Sequence, residues 1–143
     1  MERIAVFPGS FDPLTIGHVS IVERSKSLFD KIIIAIGKNS AKKTILSIEN
    51  RIRLIEDVFS DDDTISVRSY DGLTVDFCKE VNAKYLLRGL RTAADFEYER
   101  AISQVNKIMK PEIESVFLLT LPEHTPINSS IVIVGKGIAS CVT

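Results

Sequence analysis

The fold is decided by the sequence KIIIAIG at residues 31–37. Residues 32–36 are all apolar, without the alternation of apolar and polar side chains that a half-exposed strand shows. A strand buried on both faces has this composition, and such strands belong to parallel sheets that helices cover on both sides. The stretch therefore predicts a parallel strand within an α/β protein.

Strand-like and helix-like segments alternate around this stretch. Further strands are predicted at residues 4–7, 64–69, 85–87 and 115–119. Helices are predicted at residues 16–30, 48–59, 73–81 and 92–109. We expect Ser47 to cap the second helix and Asp71 the third. With right-handed crossovers, this order predicts a doubly wound, Rossmann-like sheet of five parallel strands with helices on both faces.

The composition limits what the chain can be. Its 143 residues, 45% hydrophobic and 26% charged, predict a single globular domain over residues 1–143. A formal net charge of −1 argues against nucleic acid or an anionic membrane surface as a partner. Cys78 and Cys141 form no CxxC pair, and no apolar run approaches the roughly 18 residues of a spanning helix. We therefore expect a cytoplasmic protein without a zinc cluster or a disulfide framework.

The loop after the first predicted strand carries the strongest functional signal. It contains PGSFDP at residues 8–13, and TIGH at residues 15–18 opens the following helix. Ligands of open α/β sheets bind at the carboxyl ends of the strands, where the strand order reverses. Backbone amides at a helix N-terminus attract anions, and glycine lets a ligand approach closely. We therefore expect a phosphate group to dock beside His18.

These motifs resemble the signature of the nucleotidyltransferase superfamily with a T/HxGH motif. The likeness extends to RGLR at 88–91, ADFEYE at 94–99, PEIESVF at 111–117 and INSSIV at 127–132. Together they are similar to bacterial phosphopantetheine adenylyltransferases over residues 2–132. The block at 88–99 is specific to that enzyme family, whereas TIGH alone indicates only the superfamily.

The resemblance implies transfer of the adenylyl group of ATP to 4'-phosphopantetheine, with dephospho-coenzyme A and pyrophosphate as products. Such a nucleophile needs no general base, because a phosphate monoester with a second pKa of about 6 is mostly dianionic at neutral pH. The protein has instead to bring two polyanions together and to stabilise charge at the α-phosphate. Cations and helix amides around one point serve that purpose.

The resemblance assigns site residues by position. The implied catalytic residues are His18, Lys42 and Arg91. The implied contacts of 4'-phosphopantetheine are Ser10, Lys42, Thr74 and Arg88. The implied contacts of ATP are Ser10, Phe11, His18, Gly89, Leu90, Arg91, Glu99, His124, Thr125, Pro126, Ile127, Asn128, Ser129 and Ser130. Among these, Glu99 is expected near the ribose or adenine.

The resemblance also implies partners. Mg²⁺ would arrive with ATP, because the sequence shows no dedicated carboxylate cage and no protein metal site is expected. Family members assemble as homohexamers and bind coenzyme A as a feedback ligand. Composition alone gives no oligomer signal.

Simpler interpretations of several residues remain open. Arg91, Asp95 and Glu99 are spaced by four, which also suits a ladder of ion pairs along one helix. Lys42 beside Lys43 also suits a solvated charge pair, and the serines at 129–130 also suit a helix cap.

The C-terminal segment departs from the family pattern. Ile133 and Val134 follow Val132 where the family has a basic and an acidic residue, and GKG at 135–137 breaks a helix. We expect the C-terminal helix to be atypical or truncated after residue 132. A natural variant and an altered, frameshifted end both explain this pattern.

Two other functions are alternatives to the first. One is a different nucleotidyltransferase of the same superfamily, such as a nicotinate-nucleotide adenylyltransferase, which the block at 88–99 disfavours. The other is a catalytically impaired module that binds nucleotide or coenzyme A, caused by the altered end at 133–143.

Overall fold

The computed structural model describes residues 1–39, 41 and 43–121. Its strands are β1 Ile4–Gly9, β2 Lys31–Gly37, β3 Ile65–Tyr70, β4 Tyr85–Leu90 and β5 Glu114–Leu119. Its helices are α1 Ile16–Ser25, α2 Ile48–Val58, α3 Thr74–Glu80 and α4 Ala93–Met109. The strands form one parallel sheet in the order β3-β2-β1-β4-β5, which confirms the fold class expected from the sequence.

The strand order places a crevice between β1 and β4. The chain begins in the middle of the sheet with β1, proceeds to one edge through β2 and β3, and then returns to pair β4 with β1. The order reverses between β1 and β4, so the connections that follow these two strands run in opposite directions and leave a crevice at the carboxyl ends. The PGSFDP loop and the RGLR segment both line this crevice.

Two apolar layers cover the sheet, one on each face. Ile34 of β2 packs with Ile21 of α1 and Ile55 of α2 on the first face. Leu86 of β4 packs with Cys78 of α3 on the second. Burial raises the pKa of the Cys78 thiol to about 12, so this cysteine is an unreactive core residue, as its apolar helical position predicts.

Sheet pairing extends two strands beyond their predicted ends. β1 continues to Gly9 because Pro8 and Gly9 pair with residues of β2. β4 continues through Arg88 and Gly89 because both pair with β5. The ladder with a neighbouring strand decides these ends, although Pro-Gly and Arg-Gly favour a turn in isolation.

Two helix boundaries differ from the predictions. α1 ends at Ser25, because the Ser25 carbonyl accepts hydrogen bonds from the N–H groups of Leu28 and Phe29 and turns the chain back towards the sheet. Asp71 does not cap α3, which begins after Leu73 without a side-chain cap. The exposed Asp71 carboxylate instead lies 3.7 Å from Lys38 Nζ. The predicted cap of α2 is confirmed, since Ser47 Oγ accepts from the N–H of Asn50 at 3.1 Å.

In the sequence, an apolar stripe at helical spacing predicts α4, and in the structure this stripe faces outward: Ala94, Tyr98, Ala101, Val105 and Ile108. Tyr98, Val105 and Ile108 are 64%, 54% and 80% exposed. The face towards the sheet carries Phe96, whose ring meets that of Phe117, and the buried Glu99. Among the described helices, none is long and apolar enough to cross a membrane.

Candidate active site

Two cavities open at the carboxyl ends of the strands. The larger, of about 690 Å³, lies over α1 and the end of β4, and the smaller, of about 300 Å³, lies between β3, α4 and β5. Five residues line both cavities, and we call them the shared wall: Pro8, Gly9, Ser10, Arg88 and Glu99. The wall is the place where ligands in the two cavities would meet.

The N-terminus of α1 presents His18 to the larger cavity. Thr15 Oγ1 accepts from the His18 N–H at 3.3 Å, and the Thr15 N–H donates to His18 Nδ1 at 3.0 Å, which completes a capping box. An amide N–H can only donate, so Nδ1 is the acceptor and the neutral ring carries its proton on Nε2. The cap therefore selects the tautomer that donates from Nε2.

The surroundings of His18 favour its neutral form. Burial and, second, the Arg91 guanidinium lower the pKa of His18 below its ordinary value of 6.5. The Phe11 ring lies edge-on to the imidazole with centroids 4.8 Å apart. At neutral pH His18 is thus an uncharged donor beside the amides of Ile16 and Gly17, an arrangement that suits a phosphate oxygen.

The backbone of the first loop is tightly packed. Phe11 is 2% exposed and takes a left-handed conformation with φ +48°. A Cβ atom at Gly9 would lie 3.0 Å from Phe11 Cε2, so a side chain there would press against the buried Phe11 ring. The Asp12 carboxylate accepts from the N–H groups of Ile45 and Leu46 at 2.6 and 2.7 Å, which ties the loop to the segment before α2. The sequence interpretation missed this role, because Asp before Pro is typical of an ordinary turn.

Arg88 and Glu99 form an ion pair within the shared wall. Arg88 Nε donates to both Glu99 oxygens at 2.9 and 3.1 Å, and its Nη2 also donates to Glu99 Oε1. Arg88 Nη1 donates to the Pro8 carbonyl at 2.8 Å. Glu99 is 8% exposed, and Arg88 is the cation that compensates the burial of its carboxylate.

The ladder of ion pairs along α4 exists only in its first step. Arg91 Nε lies 3.4 Å from Asp95 Oδ2, whereas Glu99 turns to Arg88. Within the part of the chain that the structure describes, no group of three or more His, Cys, Asp or Glu side chains could hold a metal ion.

The structure brings most described candidates to the two cavities. Gly89 and Arg91 line the larger cavity, and Thr74 lines the smaller one, where its hydroxyl lies 2.7 Å from the Tyr70 hydroxyl. Leu90 is the exception, since its side chain is buried and its carbonyl accepts from the N–H of Thr120. Lys42 lies outside the described residues, as do the candidates at 124–130 and the atypical segment after 132.

Several residues of the smaller cavity were not found from the sequence. They are Asn39, Tyr70, Ile102, Ser103, Asn106 and Ser115. Positions 102, 103 and 106 share one face of α4 at helical spacing. The sequence did not single them out, because the apolar stripe on another face normally indicates the buried side of a helix. Outside the shared wall, the described lining of this cavity carries no charged side chain.

Comparisons with known proteins agree on a family. The model of the cytidylyltransferase-like family matches residues 6–135. A phosphopantetheine adenylyltransferase of Flavobacterium psychrophilum is 54% identical over 130 residues, which cover 91% of this chain and 85% of that protein. One from Caldanaerobacter subterraneus is 45% identical over 91% of this chain and 81% of its own.

Solved structures show the same fold at low identity. A bifunctional NMN adenylyltransferase/ADP ribose pyrophosphatase from Francisella tularensis, complexed with AMP and a manganese ion, superposes with a TM-score of 0.62 at 19% identity, covering 85% of this chain and 38% of that one. A lipopolysaccharide core biosynthesis protein from Thermoplasma volcanium gives 0.58 at 20% identity, covering 85% and 98%. These likenesses support the fold alone.

Proposed function

The chain belongs to the phosphopantetheine adenylyltransferases of the cytidylyltransferase-like family, and on that premise we propose how its two cavities divide the substrates. It transfers the adenylyl group of ATP to 4'-phosphopantetheine, giving dephospho-coenzyme A and pyrophosphate in coenzyme A biosynthesis. In our proposal ATP occupies the larger cavity and 4'-phosphopantetheine the smaller one. The attacking phosphate and the α-phosphate then meet at the shared wall.

The contrast in charge between the cavities supports this division. Beyond the shared wall, the larger cavity adds helix amides, His18 and the Arg91–Asp95 pair, and these donors suit a triphosphate. The described lining of the smaller cavity is uncharged away from the wall, which suits a chain of amide groups. Hydroxyl and amide side chains there, such as Thr74 and Asn106, can hydrogen-bond such a chain.

His18 is proposed as the donor that stabilises the reaction. The cap does not use its Nε2–H, and His18 lines the cavity that would hold the α-phosphate, where negative charge increases during attack. Arg91 adds positive charge beside the same group. Ser10 and Arg88 belong to the wall and would hold the attacking phosphate.

The remaining family contacts complete the proposal. Lys42 would help to position the attacking phosphate, and residues 124–130 would cover the nucleotide. Both assignments derive from the family resemblance. Gly89 would contact ATP through its backbone, and Leu90 could do so only through its backbone, because its side chain is buried.

Mg²⁺ is proposed to enter as part of the nucleotide substrate. The two carboxylates of the larger cavity, Asp95 and Glu99, already bind Arg91 and Arg88. The described lining therefore provides no carboxylate set for a resident ion, and the triphosphate itself would hold the metal.

A homohexamer is proposed from the family, and one surface supports self-association. Tyr98, Val105 and Ile108 form an exposed apolar row on α4, as an interface between copies would require. Coenzyme A, which carries the product's pantetheine arm, is proposed as a feedback ligand of the smaller cavity, and the cytoplasm as the location. Light scattering of the purified chain tests the hexamer, because a monomeric mass would contradict it.

The observation that carries the proposal is the Nε2–H of His18 at the head of α1, beside a wall common to both cavities. The test is pyrophosphate release from ATP with 4'-phosphopantetheine as acceptor. Release only with nicotinate or nicotinamide mononucleotide would assign the chain to a different nucleotidyltransferase activity. Binding of ATP without release from any acceptor would indicate an impaired binding module.

A further inference from the structure

Arg51 is a buried cation that the proposed reaction does not yet use. It lies on α2 and is 4% exposed. Its Nη1 donates to the Ser10 carbonyl at 2.9 Å, and its Nε donates more weakly to the Ser47 carbonyl at 3.4 Å. Among the described residues no carboxylate pairs with Arg51, and Arg51 lines neither cavity.

The bond to Ser10 fixes the orientation of one peptide group. The Ser10–Phe11 peptide is trans, so its carbonyl and its N–H point in opposite directions. With the carbonyl directed at Arg51, the Phe11 N–H points away from α2. Ser10 and Phe11 both line the larger cavity, and the Phe11 N–H has no hydrogen-bond partner within residues 1–39, 41 and 43–121.

The same peptide sets the conformation of Phe11. Its φ of +48° is costly for a residue with a side chain, and a fixed carbonyl on the preceding residue holds it there. The ring of Phe11 in turn packs edge-on against His18. A change at Arg51 would therefore reach both the Phe11 amide and the His18 imidazole, which belong to residues that line the larger cavity.

We propose that Arg51 is a positioning residue, which holds the Ser10–Phe11 peptide so that the Phe11 N–H donates to a phosphate of the nucleotide. This inference rests on the proposed function, because it assumes that a nucleoside triphosphate occupies the larger cavity. A guanidinium suits the task, since its planar donors reach the Ser10 and Ser47 carbonyls at once. In this proposal Arg51 itself makes no contact with the substrate, because it lines neither cavity.

The kinetic test compares Arg51→Met, Arg51→Lys and two control variants. We expect Arg51→Met to lower kcat by about 10- to 100-fold with a smaller change in KM for ATP, because misplaced groups weaken transition-state contacts most. Arg51→Lys keeps one donor and should recover part of that loss. Arg53→Met removes an exposed charge from the same helix, and Ile55→Val destabilises the same helix by removing a buried methyl group. Both controls should keep the wild-type kcat.

An unchanged kcat in Arg51→Met, or a decrease that Ile55→Val reproduces at equal loss of melting temperature, would overturn the proposal. If Arg51→Met does not fold, Arg51→Lys decides alone. A several-fold lower kcat at a nearly unchanged melting temperature supports positioning, and a wild-type kcat contradicts it.

A measurement without turnover separates this proposal from the proposed function. In the wild-type protein, ATP should shift the amide resonance of Phe11 in ¹⁵N spectra. In Arg51→Met that shift should disappear, while the amide of Gly17 still responds to ATP. If ATP does not shift the Phe11 amide resonance of the wild-type protein, the positioning role is overturned. An intact ATP response in a chain that releases no pyrophosphate would overturn only the proposed reaction.

Discussion

The two cavities share one wall but differ in chemical character. The larger combines an imidazole, an exposed arginine and the first amides of a helix, while the described lining of the smaller is uncharged away from the wall. Both open at the carboxyl end of the same sheet, where the strand order reverses between β1 and β4. The contrast shows how one sheet edge can separate a phosphate-rich ligand from an amide-rich one and still bring their reacting ends together.

The largest expected difference between the two cavities is the effect of removing His18. His18→Ala eliminates the Nε2–H donor, and loss of one preorganised donor of this kind lowers kcat by about 100- to 1,000-fold. The affinity for 4'-phosphopantetheine should change little, because His18 lines only the larger cavity. Steady-state kinetics and calorimetric binding of each substrate provide the check.

Thr15→Ala is the matched control for that experiment. It removes the hydroxyl that accepts from the His18 N–H and lies 3.0 Å from Nδ1, which costs about 1 kcal/mol of stability, but it keeps the backbone N–H that donates to Nδ1. The melting temperature should decrease while kcat falls by much less than in His18→Ala. Equal losses of kcat in the two variants would mean that His18 acts through the helix cap and not as a donor.

The next predictions concern the ion pair of Arg88 and Glu99 in the shared wall. Arg88→Met leaves the Glu99 carboxylate buried without its partner, which should lower the free energy of unfolding by up to about 3 kcal/mol. The double variant Arg88→Met, Glu99→Leu removes both charges and should recover most of that stability. Denaturant unfolding measures both effects.

Recovered stability should not restore activity, because Arg88 is also proposed to hold the attacking phosphate. The double variant should keep a KM for 4'-phosphopantetheine at least about tenfold above wild type, equivalent to about 1.4 kcal/mol. A stable double variant with wild-type kinetics would reduce Arg88 to a structural role.

The smaller cavity can be filled without touching the larger one. Ser103→Phe adds a ring at a position that lines only the smaller cavity, so KM for 4'-phosphopantetheine should rise several-fold while ATP affinity stays unchanged. Gln104→Phe places the same ring on the neighbouring exposed position and should leave both values unchanged. A loss of ATP affinity in Ser103→Phe would contradict the division of substrates.

The smallest expected effect is a pH dependence that belongs to His18. Its pKa in the folded protein lies below 6.5, mainly through burial and then through Arg91. As the pH falls from 6.5 to that lower pKa, the unfolded chain binds a proton that the folded chain does not, so stability declines across this window and then levels off.

NMR titration of the imidazole proton checks that dependence. The His18 resonance should titrate below pH 6.5, and Arg91→Gln should raise its pKa towards the ordinary value because one positive neighbour is lost. His124→Gln assigns the second histidine resonance. A His18 pKa at or above 6.5 in the wild-type protein would contradict the neutral donor.

The sequence was sufficient to predict the parallel sheet, but it did not show which face of α4 is exposed. The apolar run of β2 and the alternation of elements predict the parallel fold, because a strand that is buried on both faces consists almost entirely of apolar residues. The outward face of α4 could not be predicted, since an apolar stripe such as Val105 and Ile108 normally indicates the buried side. An interface between copies would produce the same pattern.

Residues of the site were predictable where they lie in one motif. TIGH indicates an anion site because the cap, the amides and the imidazole are neighbours in sequence. The bonds from Asp12 to residues 45–46 and from Arg51 to Ser10 connect segments more than 30 positions apart, so no local pattern reveals them. Nor does any local pattern indicate that Glu99 pairs with Arg88, eleven positions earlier.

The most direct test is a crystal structure of the chain with a non-hydrolysable ATP analogue and 4'-phosphopantetheine. We expect His18 Nε2 within about 3 Å of an α-phosphate oxygen, and the phosphate of the second substrate at the wall formed by Ser10 and Arg88. A triphosphate bound away from His18, or both ligands in the same cavity, would contradict the central claim.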